Sequence, residues 1–117
     1  MADLINLARK ERAARIAELN DALRTTFQGG RVLMTTGINK LSEGVRADVL
    51  EAVRTFSEFT GANDPHREHD FGAFEQNGVT VFWKVDYYAP DLQTLSEDPT
   101  SLEKTTRVLT IMRAEEY

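Results

Sequence analysis

The dipeptide Asn77-Gly78, set between two runs of alternating apolar residues, constrains the fold of this chain more than any other feature. Asn-Gly suits the two left-handed positions of a type I′ turn, whose twist matches that of paired strands. A hairpin of Asp70 to Gln76 with Val79 to Tyr88 is therefore predicted. On the second arm Val79, Val81, Trp83, Val85 and Tyr87 share one face, and Thr80, Phe82, Lys84, Asp86 and Tyr88 take the other. The first face reads as core and the second as accessible. Pairing Gln76 with Val79 sets Phe74 against Val81, Ala73 against Phe82 and Gly72 against Trp83. Two small residues opposite two aromatic rings support that register. Carried outward, the same count puts Phe71 opposite Lys84 and His69 opposite Asp86.

The remaining elements follow from periodicity and punctuation. Residues 4 to 27 read as a helix, with Ile16, Leu19, Leu23 and Phe27 at helical spacing and Gln28-Gly29-Gly30 as its stop. Arg31 to Thr36 reads as a short strand buried on both faces. Ser42 is placed to cap a second helix, whose apolar stripe is Val45, Val49, Val53, Phe56 and Phe59. Residues 89 to 105 read as an acidic loop carrying Asp91, Glu97, Asp98 and Glu103. Arg107 to Arg113, apolar on both sides, belongs inside a sheet rather than at its edge. The order α-β-α-β-β-β predicts an α+β fold: a mainly antiparallel four-stranded sheet with two helices on one face. With 117 residues the chain is expected to form a single domain over residues 1–117, the first ten residues fraying.

Composition narrows the chemistry. There is no cysteine, so disulfides, thiolate metal sites and cysteine nucleophiles are excluded. No apolar run approaches the roughly 20 residues that span a bilayer, and no secretory signal is visible, so a cytoplasmic protein without membrane contact is expected. Net charge is −5. An acidic chain disfavours direct nucleic-acid binding, although Arg9, Lys10, Arg12 and Arg15 crowd the first helix.

The polar residues that carry candidate chemistry are concentrated. Asp64, His66, Glu68, His69 and Asp70 lie within seven residues, and the hairpin register adds Lys84, Asp86 and Tyr88. A carboxylate beside an imidazole fixes its tautomer and raises its basicity, which suits a general base, a metal ligand or a binding anchor. These eight residues are the expected binding site, with no catalytic residue and no cofactor assigned. His66 and His69 are three apart, unlike the i, i+4 pair of helical zinc proteases. No phosphate-cradling glycine motif or nucleophile elbow is present.

Five segments together carry a resemblance: Leu23 to Gly30, Asn63 to His66, Glu68 to Gly72, Phe82 to Tyr88 and Arg107 to Met112. In these blocks the chain, from about Ile16 to Tyr117, resembles an uncharacterised bacterial domain family of unknown function common on plasmids and other mobile elements. The resemblance implies a genomic setting and transfers no catalytic residue.

Three functions are compatible with these features. The first expectation is a non-enzymatic protein-binding module of a mobile element, an inhibitor of a nucleic-acid-handling defence complex of the anti-restriction or anti-CRISPR kind. Its contact surface would be the acidic loop, the 66–70 loop and the exposed hairpin face. The second is a small-molecule or peptide sensor with a pocket beside residues 63 to 72. The third is a metal-dependent hydrolase using His66 and His69. A protein partner is expected in the first case, and a homodimer is compatible with all three.

Overall fold

A computed structural model describes residues 2 to 117. Helix α1 runs Ala2–Thr26 and strand β1 Arg31–Met34, followed by a single helical turn, α2, Thr36–Asn39. Helix α3 spans Glu43–Thr55, and strands β2, β3 and β4 span Phe71–Gln76, Val79–Tyr88 and Thr106–Arg113. A 3₁₀ turn, Ala114–Glu116, closes the chain.

The hairpin forms in the register read from the sequence, with Gln76 against Val79 and Gly72 against Trp83, out to Phe71 against Lys84. Asn77 and Gly78 hold φ of 52° and 79°, the left-handed pair that a type I′ turn needs. Gly72 is required by its neighbour: a β-carbon there would overlap the Trp83 indole. The α+β class holds, but the sheet is mixed rather than mainly antiparallel, and α2 makes three α-helices among the described residues where two were expected. Its order is β1-β4-β3-β2, with β1 parallel to β4 and the other pairs antiparallel. Strand β4 is interior, as its two-sided apolar pattern requires. Strand β1 is not: it ends at Met34 and forms an edge, with Leu33 52% exposed. Val32 packs against the core, but Leu33 and Met34 are exposed, so the strand is not buried on both faces.

Trp83, Val81, Val85, Leu109 and Ile111 meet Leu23, Ile38, Val49 and Val53 in one core on the helical side of the sheet. Ser42 accepts a hydrogen bond from the Val45 N–H and so caps α3. That helix ends at Thr55, before Phe56 and Phe59, which nevertheless pack edge-on against Trp83 at 5.6 and 6.1 Å. At the end of α1, Phe27 itself takes the left-handed conformation (φ 58°) and its N–H bonds the Leu23 carbonyl.

Glu116 has a task that its terminal position does not advertise. Its carboxylate accepts hydrogen bonds from the Thr35 hydroxyl at 2.7 Å, the Gly37 N–H at 2.9 Å and the Arg113 N–H at 2.8 Å. These donors hold its carboxyl below the usual glutamate range. A side chain at residue 37 would collide with that carboxylate, so Gly37 and Glu116 form one clip.

Candidate functional site

The hairpin pairing ends just before the expected imidazole–carboxylate pair. The Asp70 carbonyl still accepts from the Val85 N–H at 2.8 Å. One residue earlier, His69 adopts φ 53°, and Arg67 adopts φ 57°. This left-handed backbone directs His69 to the helical side of the sheet, where it stacks on Phe59 (centroids 3.9 Å apart, planes 4° apart). Asp86 lies on the opposite face, paired with Lys84 at 2.9 Å. The His69–Asp86 pair is therefore not formed.

His69 instead lies between two other carboxylates. Its Nδ1 is 3.0 Å from both oxygens of Asp21 on α1, and its Nε2 faces Asp64 Oδ2 at 3.7 Å. The His69 N–H also donates to Asp64 Oδ1 at 3.2 Å. Asp21 accepts from Arg24 at 3.0 Å, and the Arg24 guanidinium donates in turn to the carbonyls of Val53, Arg54 and Phe56. Those carbonyls lie at the C-terminal end of α3, so one buried cation helps to cap the helix. The same guanidinium lies 5.1 Å from the Trp83 ring centroid.

A second string of polar groups adjoins the first. Asn20, fully buried, donates to the Glu68 carbonyl at 2.9 Å and to the Tyr87 hydroxyl at 2.8 Å. It accepts from Arg107 Nε at 2.9 Å, and Arg107 also donates to the Pro99 carbonyl. Tyr87 donates to the Glu68 carboxylate at 2.8 Å, while burial pushes its hydroxyl well above the ordinary range. Burial, with Glu68 and Asp64 nearby, also raises the Asp70 carboxyl. Burial pushes Arg107 downward.

Asn20, Asp21, Arg24 and Arg107 are the members that the sequence reading overlooked. A signal was present for two of them. Asn20 and Arg24 sit four apart on the stripe that carries Ile16 and Leu23, and polar residues on a buried stripe need partners.

The expected site residues fall into three places. Asp64, Glu68, His69 and Asp70 belong to the inner cluster, which opens to solvent at a depression of about 270 Å³ lined by Phe59, Thr60, Gly61, Asp64, Arg67 and His69. His66 lies outside it, in a groove beside α1. Lys84, Asp86 and Tyr88 are on the open face of the sheet, where with Arg31, Leu33 and Thr110 they border a hollow of about 340 Å³. Phe71, Phe82 and the Tyr117 ring pack edge-to-face on that same side. The two histidines are thus separated, and both nitrogens of His69 face carboxylates. Among the described residues no group of three or more His, Asp or Glu is arranged to hold a metal ion.

The acidic loop is also less free than its composition suggests. Asp91 accepts from the N–H groups of Gln93 and Thr94, and Asp98 from the N–H and hydroxyl of Thr100. Both carboxyls are held low by these bonds and serve as turn formers.

A family model described as a protein of unknown function (DUF3768) matches residues 34–116, from the end of β1 through the closing turn. The chain belongs to that family. The DUF3768 span contains the hairpin, the 63–72 loop and Glu116, whereas α1, which supplies Asn20, Asp21 and Arg24, lies before it. No curated protein and no solved structure matches the chain. Among the described residues no helix is long and apolar enough to cross a membrane.

Proposed function

We propose that this domain is a non-catalytic protein-binding module whose recognition surface is the open face of the sheet together with its β1 edge. The observation that carries this reading is the contrast between a polar cluster whose groups largely bond one another and an open, mixed sheet face. Arg24, Arg107, His69 and Glu68 are engaged with partners that the fold supplies, which favours an architectural role for this cluster over proton transfer to a substrate. On the open face Leu33 is half exposed, beside Arg31, the Lys84–Asp86 pair and Tyr88. An apolar anchor flanked by charges and an aromatic ring is the composition of a protein-recognition patch.

The finer reading is an accessory module of a bacterial mobile element that inhibits a nucleic-acid-handling defence complex. It is supported by a net charge of −5, which suits competition with a phosphate backbone, and by the mobile-element setting that the sequence resemblance implies. The test is expression in a host with an active restriction or CRISPR system, followed by transformation with a targeted plasmid. Raised plasmid survival is expected, with loss of the effect in Leu33→Asp and Lys84→Glu variants that remain folded by circular dichroism. Unchanged survival with the wild-type protein, and no stoichiometric partner, would overturn the inhibitor reading.

A further inference from the structure

The face of α1 that packs on the body carries Ile16, Ala17, Asn20, Leu23 and Arg24. One heptad earlier, the positions equivalent to Ile16, Ala17 and Asn20 are Arg9, Lys10 and Ala13. The stripe that is buried along the sheet thus continues past it with cations in place of aliphatic residues. There it faces the turn Pro65-His66-Arg67, and the two elements enclose a groove of about 460 Å³. Ala13, Ala14 and Pro65 form its apolar floor, and Arg9, Lys10, His66 and Arg67 its rim.

Three features leave this groove open to a ligand and hold its walls in place. Among the described residues, none of Arg9, Lys10 and Arg67 has a carboxylate within ion-pair distance, although acidic residues outnumber basic ones 19 to 14. The helical wall is anchored, because Ile16 and Asn20 are fully buried one and two turns further along. The opposite wall is also held: Arg67 keeps a left-handed backbone while its N–H bonds the Asp64 carbonyl at 3.1 Å. A non-glycine residue in that conformation costs about 1 kcal/mol or more, and such strain concentrates at ligand clamps and switch regions.

We infer that this groove binds a short acidic segment of a partner protein, with carboxylates on its rim and an apolar side chain on its floor. Charge complementarity selects an anion. The aliphatic floor, with no Phe, Tyr or Trp ring in the lining, favours a peptide over a nucleic-acid strand, whose bases need stacking surfaces. The net negative charge of the chain opposes a long polyanion but leaves a short segment free to enter. This inference deepens the protein-binding reading and adds a contact away from the open sheet face.

The experiment is fluorescence anisotropy with a labelled dodecapeptide that alternates glutamate pairs with leucine, compared with a labelled single-stranded dodecanucleotide. Saturable, salt-sensitive binding of the peptide is expected, tighter than that of the oligonucleotide. The Arg9→Glu/Lys10→Glu double variant, whose changes lie on an exposed helix surface, should weaken it by about tenfold or more. Arg67→Glu should do the same, while Lys40→Glu, an exposed cation that borders neither the groove nor the open-face hollow, should leave it unchanged. No peptide binding, equal or tighter oligonucleotide binding, or indifference to the rim substitutions would each overturn the inference. Because Lys84 and Leu33 report on the open face alone, failure of the groove leaves the plasmid-survival result to stand or fall independently.

Discussion

The inner cluster around His69 and the groove around Arg67 are separated by two residues in sequence and differ in one physical respect. In the cluster Arg24, Asn20, Arg107 and His69 each meet partners supplied by the fold. In the groove Arg9, Lys10 and Arg67 meet no carboxylate among the described residues. A buried charge must be paired or it destabilises the fold, whereas a solvated charge can remain available. Density of polar residues therefore marks architecture in the first region and recognition in the second. Arg67 lines both depressions and stands at the boundary.

Substitutions should separate the two regions by their effect on stability. The largest loss is expected for Arg24→Ala, which removes the buried cation from the carbonyls of Val53, Arg54 and Phe56 and leaves Asp21 with His69 alone: about 3 kcal/mol by chemical denaturation. Asn20→Ala, which disconnects Tyr87 from Arg107, should cost about 2–3 kcal/mol. Gly72→Ala tests the packing under the cluster and should cost about 1–3 kcal/mol by forcing Trp83 aside. Groove substitutions such as Lys10→Glu should stay within about 0.5 kcal/mol of the wild type. A large loss of stability there would erase the contrast between the two regions.

Two pH-dependent effects should be smaller still. The Asp70 carboxyl is raised by burial, so its favourable contribution is full below the ordinary aspartate value and is lost as pH rises through its folded value. Asp70→Asn should therefore gain in melting temperature relative to wild type as pH rises from acid to neutral. Glu116 is displaced the other way by its three donors. Its contribution is present above the ordinary glutamate value and is lost as pH falls through its lower folded value. The difference between wild type and Glu116→Gln should thus be widest near neutrality and close in acid.

The local elements were legible in the sequence because their signals are local. Asn77-Gly78 set the hairpin register, Ser42 started α3, and the Gly29-Gly30 pair lay just past the end of α1. The two-sided apolar pattern of residues 107 to 113 marked an interior strand. What escaped depended on distant parts of the chain. Four residues, Arg31 to Met34, carry no directional information, so their parallel pairing with β4 and their place at the edge could not be read from their composition. The His69–Asp86 pair failed because a left-handed backbone at His69 ended the alternation from which it was extrapolated. Asn20 and Arg24 could have been flagged as polar residues on a buried stripe, but apart from Asp21 their partners lie 29 to 87 residues away. Glu116 gave no signal at all, since its donors lie in Thr35, Gly37 and Arg113.

The parallel pairing of β1 with β4 also sets an order of assembly. The β2–β3 hairpin can close once its second arm, Val79–Tyr88, has left the ribosome, but β1 has no strand to join until residues 106 to 113 have been made. During synthesis Val32, Leu33 and Met34 therefore wait as an unpaired apolar segment. A nascent chain arrested before Thr106 should stay open to a chaperone or protease at that segment, and release of the final strand should close it in one step.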